Sequence, residues 1–288
     1  MLSHWEDGIH PGFRDAAIAV VAEDEVKLHD FAAALTSSQM FALNLFIPWR
    51  SGVRTGLENL VGRALGERVS LERVALEWVP PGALLGEIDG DRPREDEPAT
   101  GVDVVLWGLD ETGARIAVLV EVKLGEGGFT ACGGRESKGN RRKDVCASAE
   151  TFFRDPSACY LQHPRGKARD RRYWEIFARS HGSVRAAFPG AQAVGGCPFA
   201  GQAQQPMRNL ALAEALVQGH VVSRSWFALC AHDHNPDVAG HWAAWRSLLP
   251  ASVPAPVMRA SDVVAAGRAD GHGEWADWMT ERYRLGSP

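Results

Sequence analysis

No apolar run in the sequence approaches about 20 residues, the length that a membrane-spanning helix needs. The opening residues, MLSHWEDGIHPGF, lack the basic-then-apolar layout of a secretory signal. Both absences lead to the expectation of a soluble, cytoplasmic protein. Positive charge is in short supply: 31 Lys and Arg stand against 36 Asp and Glu, a net charge of -5. That excludes a basic coat for nucleic acid, so any polyanion site must be a local patch. Cysteine is scarce, odd in number and widely spaced, with five in 288 residues, which argues against a disulfide framework. There is no internal repeat and no long low-complexity tract. What the chain does have is 45% hydrophobic residues, ample for one large domain or two small ones.

The rest of the chain is organised around residues 102–123, VDVVLWGLDETGARIAVLVEVK. Two apolar segments, Val102 to Trp107 and Ile116 to Val122, flank the turn-rich GLDETG, which is the pattern of a β-hairpin. Three polar residues interrupt them: Asp103, Glu121 and Lys123. Strand side chains alternate faces, so Glu121 and Lys123 share a side and Val122 opposes them. Folding the hairpin about its turn brings Asp103 to the end of the second strand.

Upstream, residues 14–47 read as helix, with SSQMFALNLFIPW opening on an N-cap-like serine pair and stopped by Pro48. Residues 53–66 form an amphipathic helix closed by Gly66 and carrying Glu58. SLERVALEWVP alternates as a strand that carries Glu77 and ends at Pro80, and the charged DGDRPREDEP that follows is a solvated loop. After the hairpin, Gly125 to Cys146 reads as irregular, 147–155 and 172–182 as helical, and Gly195 to Gly201 as a turn. Pro206 suits the first turn of a helix that Gly219 ends. His220 to Ala231 reads as a strand and HWAAWRSLL as a helix. Pro250 to Pro256 is a connector, and the tail carries short helices with Trp275 and Trp278. This order predicts a sheet with helices packed on it, α/β or α+β.

Asp103 and Glu121 are oxygen ligands of the kind that Mg²⁺ or Mn²⁺ takes, and the Val122 carbonyl between them adds a third oxygen. Lys123 is placed to orient or help deprotonate an attacking water and to stabilise a charged transition state. An E-x-K pair alone is equally an ordinary surface ion pair at a strand end. A D-x17-E-V-K set on otherwise apolar strands is more specific.

At these residues the chain resembles the PD-(D/E)xK nuclease superfamily. The resemblance rests on the helix with Glu58, the strand ERVALEWVP, Asp103, and the set Glu121-Val122-Lys123. More specifically it is similar to an uncharacterised restriction-endonuclease-like subfamily. Members carry an SSQ-x-x-x-x-N-x-F segment, matched by Ser37, Ser38, Gln39, Asn44 and Phe46, and a Q-x-x-R-N segment, matched by Gln205, Arg208 and Asn209. It spans roughly residues 30–230, and Val102 stands where the superfamily pattern has proline. The resemblance implies a central mixed sheet flanked by helices and Mg²⁺-dependent cleavage of DNA phosphodiesters, restriction-like or defence-related. It divides the chain into an N-terminal helical segment (1–50), a nuclease-like core (51–249) and a helical tail (250–288). It also implies that Glu58 completes the metal shell through water and that Gln205 contacts water or substrate. Glu77 is a weaker candidate, since an alternating strand accounts for it. Arg208 is a candidate phosphate clamp.

Two basic runs follow, Arg135 to Lys143 and Arg165 to Arg172, each with five positive side chains and one negative. Arg141, Arg142 and Lys143 are candidates for neutralising DNA phosphates. Tyr173 and Trp174 beside the second run suit base stacking or a core. Cys132, Cys146, Cys159 and Cys197 sit in Gly-, Pro- and charge-rich surroundings, and four thiolates hold zinc or an iron–sulfur cluster, although the spacing matches no compact C-x-x-C knuckle. The alternation of Cys230, His232 and His234 offers a rival zinc site. The competing functional reading is a non-catalytic module that binds nucleic acid or a partner protein. A homodimer is compatible with either.

Overall fold

Asp110 closes the central hairpin with its own side chain. Its Oδ1 accepts the backbone N–H of Thr112 (2.8 Å), the Thr112 hydroxyl (2.6 Å) and the N–H of Ala114 (3.0 Å), while Gly113 takes φ +81°. These are the bonds by which Asp stabilises a tight turn, and glycine alone enters that φ without strain. The computed structural model describes residues 2–23, 26–30, 32–87, 99–162, 171–193 and 195–286. The charged segment 89–98, Phe31, and Arg165 to Asp170 of the second basic run lie outside the described residues.

The turn joins β2 (Val102–Asp110) to β3 (Arg115–Lys123). Strand β1 (Val69–Trp78) pairs antiparallel with β2, and β2 antiparallel with β3. The sheet continues in parallel with β4 (Arg224–Ala231) and β5 (Val257–Arg259), in the order β1-β2-β3-β4-β5. Parallel pairing of β3 and β4 requires a crossover. Residues 124–223 provide it, and among the described ones are α4 (Gly133–Glu136), α5 (Lys143–Ala147), α6 (Ala149–Arg154), α7 (Tyr173–His181), α8 (Val184–Ala187) and α9 (Gln204–Gln218). The other helices are α1 (Arg14–Glu23), α2 (Ser38–Phe46), α3 (Thr55–Leu65), α10 (Pro236–Arg246), α11 (Ala260–Ala269) and α12 (Gly273–Tyr283).

Strand β3 is the centre of the sheet, buried along its length beyond Arg115. Its two faces serve two cores. Val118, Val120 and Val122 join Phe41, Leu57, Val263 and Met279 on the side of α2, α3, α11 and α12. Ala117 and Leu119 join Phe177, Met207, Leu210 and Trp242 on the side of α7, α9 and α10. This is an α/β fold, a mixed sheet flanked by helices, as expected. Tyr173 and Trp174 are buried in the second core, so packing accounts for them.

Three local readings need correction. The stretch 14–47 is not one helix: α1 ends at Glu23 and α2 begins afresh at Ser38, where Ser37 Oγ accepts the N–H of Met40 (3.3 Å). Gln39 then holds the intervening chain by donating to the Lys27 carbonyl (3.1 Å) and accepting the His29 N–H (2.9 Å). Strand β4 starts at Arg224 rather than His220, because the N–H groups of His220 and Val221 still satisfy the carbonyls of Val217 and Leu216 at the end of α9. The short β5 has no strand pattern in the sequence; it extends the sheet where the proline-rich connector ends.

Candidate active site

Register places the chemistry. Val104 pairs with Val120, and continuing the ladder sets Asp103 beside Glu121 at the end of β2 and β3. The Val122 N–H donates to Asp103 Oδ2 (2.6 Å), fixing that carboxylate across the strand pair. Lys123 Nζ lies 2.7 Å from Glu121 Oε1, and both side chains are buried. The Lys123 ammonium also sits 5.7 Å above the Phe129 ring centre. An ion pair this dry is kept only with further hydrogen bonds around it.

Helix α9 supplies those bonds. Gln205 and Asn209 are four residues apart, hence on one helix face. Gln205 Nε2 donates to Glu121 Oε1 (2.5 Å) and Asn209 Nδ2 to Glu121 Oε2 (2.8 Å). Gln205 Oε1 in turn accepts the Thr130 N–H (3.0 Å), tying the loop after β3 to the helix.

A third carboxylate enters from β1. Glu77 adopts φ +49°, a left-handed backbone that breaks the strand alternation at that residue. Its Oε2 accepts from Gln39 Nε2 (2.9 Å), while its Oε1 is buried and accepts no hydrogen bond. Burial pushes the Glu77 carboxyl up to about 7, the Gln39 hydrogen bond opposes the rise, and the Glu121 charge adds to it. Asp103 is held well above the ordinary carboxylate range by burial first, then by the Glu121 and Glu77 charges, against the pull of Lys123. Burial alone would lower the Lys123 ammonium, but Glu121 and Asp103 outweigh it and hold the group above its ordinary value. At neutral pH Lys123 is therefore a cation among three acids.

Several sequence candidates stand elsewhere. Glu58 does not join the cluster. Its Oε1 accepts the N–H of Leu71 (2.8 Å), beside the irregularity in β1 between Leu71 and Arg73. Leu71 pairs with Gly108, five residues along β2 from Asp103, or about 17 Å at strand rise. Arg208 is turned inward, donating to Thr100 Oγ1 (2.9 Å) and Glu87 Oε1 (3.1 Å), with Tyr173 also bonded to Glu87, so its fork is taken by a buried network. Arg141, Arg142 and Lys143 are exposed, and Arg142 pairs with Asp144 (3.0 Å). Cys132, Cys146, Cys159 and Cys197 line one cavity. Cys230 packs in the first core, and His232 and His234 each bond a carbonyl of the C-terminal segment, Tyr283 (2.6 Å) and Gly286 (3.0 Å), so these three do not converge.

The family model described as restriction endonuclease associating with ARP, REase-ARP, matches residues 4–257. The chain belongs to the REase-ARP family. No curated protein and no solved structure matches it. The two sequence segments of the resemblance have clear places in this member. Gln39 of the SSQ segment holds Glu77, and Gln205 and Asn209 of the Q-x-x-R-N segment hold Glu121. Asn44 of the first segment is structural, donating to the Gly8 carbonyl (2.9 Å) and Tyr283 Oη (3.1 Å). The sequence pattern reads Glu77 as an alternating strand residue because nothing in ERVALEWVP announces its turned backbone. Asn209 is readable from its spacing to Gln205.

The donor chemistry fits a divalent cation. Three carboxylates face one ammonium, burial first and then the neighbouring carboxylates raise Asp103 and Glu77 toward protonation, and Glu77 Oε1 is a buried acceptor with nothing to accept from. Among the described residues no group of three or more His, Cys, Asp or Glu side chains is already arranged to hold a metal ion. Lys123 and the two α9 amides engage Glu121 at three of a carboxylate's roughly four acceptor positions.

Proposed function

We propose that this REase-ARP chain is a metal-dependent nuclease of the PD-(D/E)xK type that hydrolyses DNA phosphodiester bonds. The observation that carries the reading is the buried Lys123–Glu121 pair, 2.7 Å apart, set beside Asp103 on adjoining strands. Asp103, Glu121 and the Val122 carbonyl would hold Mg²⁺ or Mn²⁺, and Glu77 is the further carboxylate that the fold adds. When bound, the cation polarises the scissile phosphate and lowers the pKa of water.

The chain's own residues do the rest. The Val122 N–H pins Asp103, and Gln205 with Asn209 fixes the rotamer of Glu121, so the carboxylates do not have to be ordered when substrate arrives. Lys123 presents an ammonium to the negative charge that builds on the phosphoryl oxygens. Its proton is held by the neighbouring carboxylates. With those carboxylates engaged by a bound cation that hold would weaken, and Lys123 would have to release its proton to solvent before it could accept one from water. Arg141, Arg142 and Lys143, on the segment after β3, supply sequence-independent affinity for the phosphate backbone.

The family's description names association with ARP, and we infer that the chain acts together with a protein partner. A second reading, a binding module without cleavage, is favoured by the net charge of -5. Incubation of the purified chain with plasmid and single-stranded DNA, with Mg²⁺ or Mn²⁺, decides between them. The nuclease reading expects cleavage by wild type and its loss in Lys123→Ala. DNA binding that survives Asp103→Asn, without cleavage by either form, would establish the module.

A further inference from the structure

We propose that Cys132, Cys146, Cys159 and Cys197 form a second metal centre, a structural four-thiolate site for Zn²⁺ that ties together the loops behind the active site. Zinc bound by four cysteines is a closed, tetrahedral arrangement that contributes directly to folding.

These residues come from four separate segments: the N-terminal flank of α4, helix α5, the turn after α6, and the loop before α9. They nonetheless line a single cavity, walled by Tyr160, Leu161, Trp174 and Phe199. All four are free thiols, and the fifth cysteine of the chain, Cys230, packs apart from them in the other core.

The sulfurs also face hydrogen-bond donors. The backbone N–H groups of Gly134 and Arg135 favour a charge on Cys132, that of Leu161 a charge on Cys159, and that of Phe199 a charge on Cys197. In three cases the donor is two residues beyond the cysteine. Cys146 Sγ accepts from Asn140 Nδ2 at 3.5 Å, and Asn140 is itself buried and fixed by donating to the Gly134 carbonyl (3.0 Å). A thiol that only fills apolar space needs no donors. Burial outweighs these donors and pushes the Cys132, Cys159 and Cys197 thiols up, so thiolates here need a cation to form, and the donors are then placed as hydrogen bonds around metal-bound cysteines are. Cys197 lies close enough to Cys159, Cys146 and Cys132 for a charge on any of them to oppose its own ionisation, which places the four sulfurs in one neighbourhood.

The cavity is about 10 Å³, room for one atom-sized guest, and its walls are largely apolar. Four thiolates around a guest of that size are the ligand set of a single tetrahedral Zn²⁺. No three of the thiols already converge on one point. Closure therefore takes side-chain rotation and small loop shifts, which positions outside long helices permit.

The site reaches the catalytic cluster through the backbone. The N–H of Cys197 donates to the Cys146 carbonyl (3.0 Å) and that of Cys132 to the Ala200 carbonyl (3.3 Å). Three residues before Cys132, Phe129 N–H donates to Gln202, and Thr130 N–H donates to Gln205, which bonds Glu121. Zinc would lock the segment that carries Arg135 to Lys143 against the start of α9.

The test is elemental analysis of the full-length chain purified from zinc-supplemented cells without chelator. The expected result is one zinc per chain, retained in Cys230→Ser and in the double variant His232→Ala/His234→Ala, and reduced at least tenfold in Cys132→Ser/Cys197→Ser. As a measurement that needs no variant, replacing the metal of the wild-type chain with Co²⁺ should give the visible bands of tetrahedral thiolate ligation. A zinc-free wild type that gives no such bands with Co²⁺ would overturn the proposal. So would zinc that survives Cys132→Ser/Cys197→Ser but is lost from the histidine variant, or a brown protein containing iron and inorganic sulfide in place of zinc.

Discussion

Lys123 Nζ and Glu121 Oε1 stand 2.7 Å apart at the buried end of β3, and Gln205 donates to the same oxygen. Removing one partner of such a pair leaves the other charge buried and uncompensated, typically at a cost of about 3–5 kcal/mol. Lys123→Ala is therefore expected to lower thermal stability as well as cleavage. Lys123→Gln keeps a donor near Glu121 without the charge. We expect it to fold better than the alanine variant while cleaving about 10²–10³-fold more slowly than wild type, the loss seen when a transition-state donor is removed. Thermal denaturation and single-turnover cleavage on the same samples check both parts. Cleavage by Lys123→Gln at the wild-type rate would remove Lys123 from the reaction.

Glu77 gives a pH signature. Its carboxyl is pushed from an ordinary value near 4.5 up to about 7, by burial first and by Glu121 third, with Gln39 opposing. Between those two values the folded chain binds a proton that the unfolded chain has released, so stability falls as pH rises through this window. Glu77→Gln keeps an acceptor for Gln39 and removes the titration. The variant should match wild type below about pH 4 and be more stable without metal above pH 7, by at most about 3 kcal/mol. Addition of Mg²⁺ should narrow the gap by stabilising wild type more than the variant, the more so at higher pH. Melting curves at several pH values, with and without Mg²⁺, read this out, and equal pH profiles for the two chains would sink it.

How far the sequence reaches follows from what each residue depends on. Alternation and one turn suffice to put Glu121 and Lys123 on one face and Asp103 beside them, because register within a hairpin is local. Gln205 and Asn209 need one further step, the four-residue spacing of a helix, and a resemblance to direct attention there. Glu77 escapes a pattern reading because its place depends on a single left-handed φ, which propensity does not disclose at a glutamate. The gathering of Cys132, Cys146, Cys159 and Cys197 depends on how α4 to α9 pack, a long-range property that spacings of 13, 12 and 37 residues do not encode. Glu58 sits on the expected helix, but the rotation of α3 turns it to the N–H of Leu71.

Glu58 supplies a control that separates structure from catalysis. Its carboxylate satisfies the Leu71 N–H where β1 slips register against β2. Gly108, opposite Leu71, admits the close approach there, since a Cβ would collide with the Ser70 carbonyl. Glu58→Ala should cost about 1–3 kcal/mol, the penalty of an orphaned buried donor. Cleavage per folded molecule should remain within about twofold of wild type. Denaturant unfolding paired with cleavage rates makes the comparison, and a hundredfold loss of activity in a stably folded Glu58→Ala chain would restore Glu58 to the catalytic set.

The exposed basic residues concern affinity rather than chemistry. Arg142 is paired with Asp144, whereas Arg141 and Lys143 are exposed beside it with no acidic partner among the described residues. If both bind phosphates, their replacement lowers DNA affinity without preference for sequence, because backbone contacts carry no base information. Removing one phosphate-neutralising side chain flattens the slope of log K against log salt by about 0.9 on duplex DNA. Arg141→Ala/Lys143→Ala should therefore flatten it by about 1.8 and weaken binding most at low salt, where counterion release contributes most. Fluorescence anisotropy with Asp103→Asn as the cleavage-blocked background, titrated over a salt series, measures the slope directly. An unchanged slope would place the DNA path on another face. A steeper loss on one sequence than on others would instead make these residues readers of base edges.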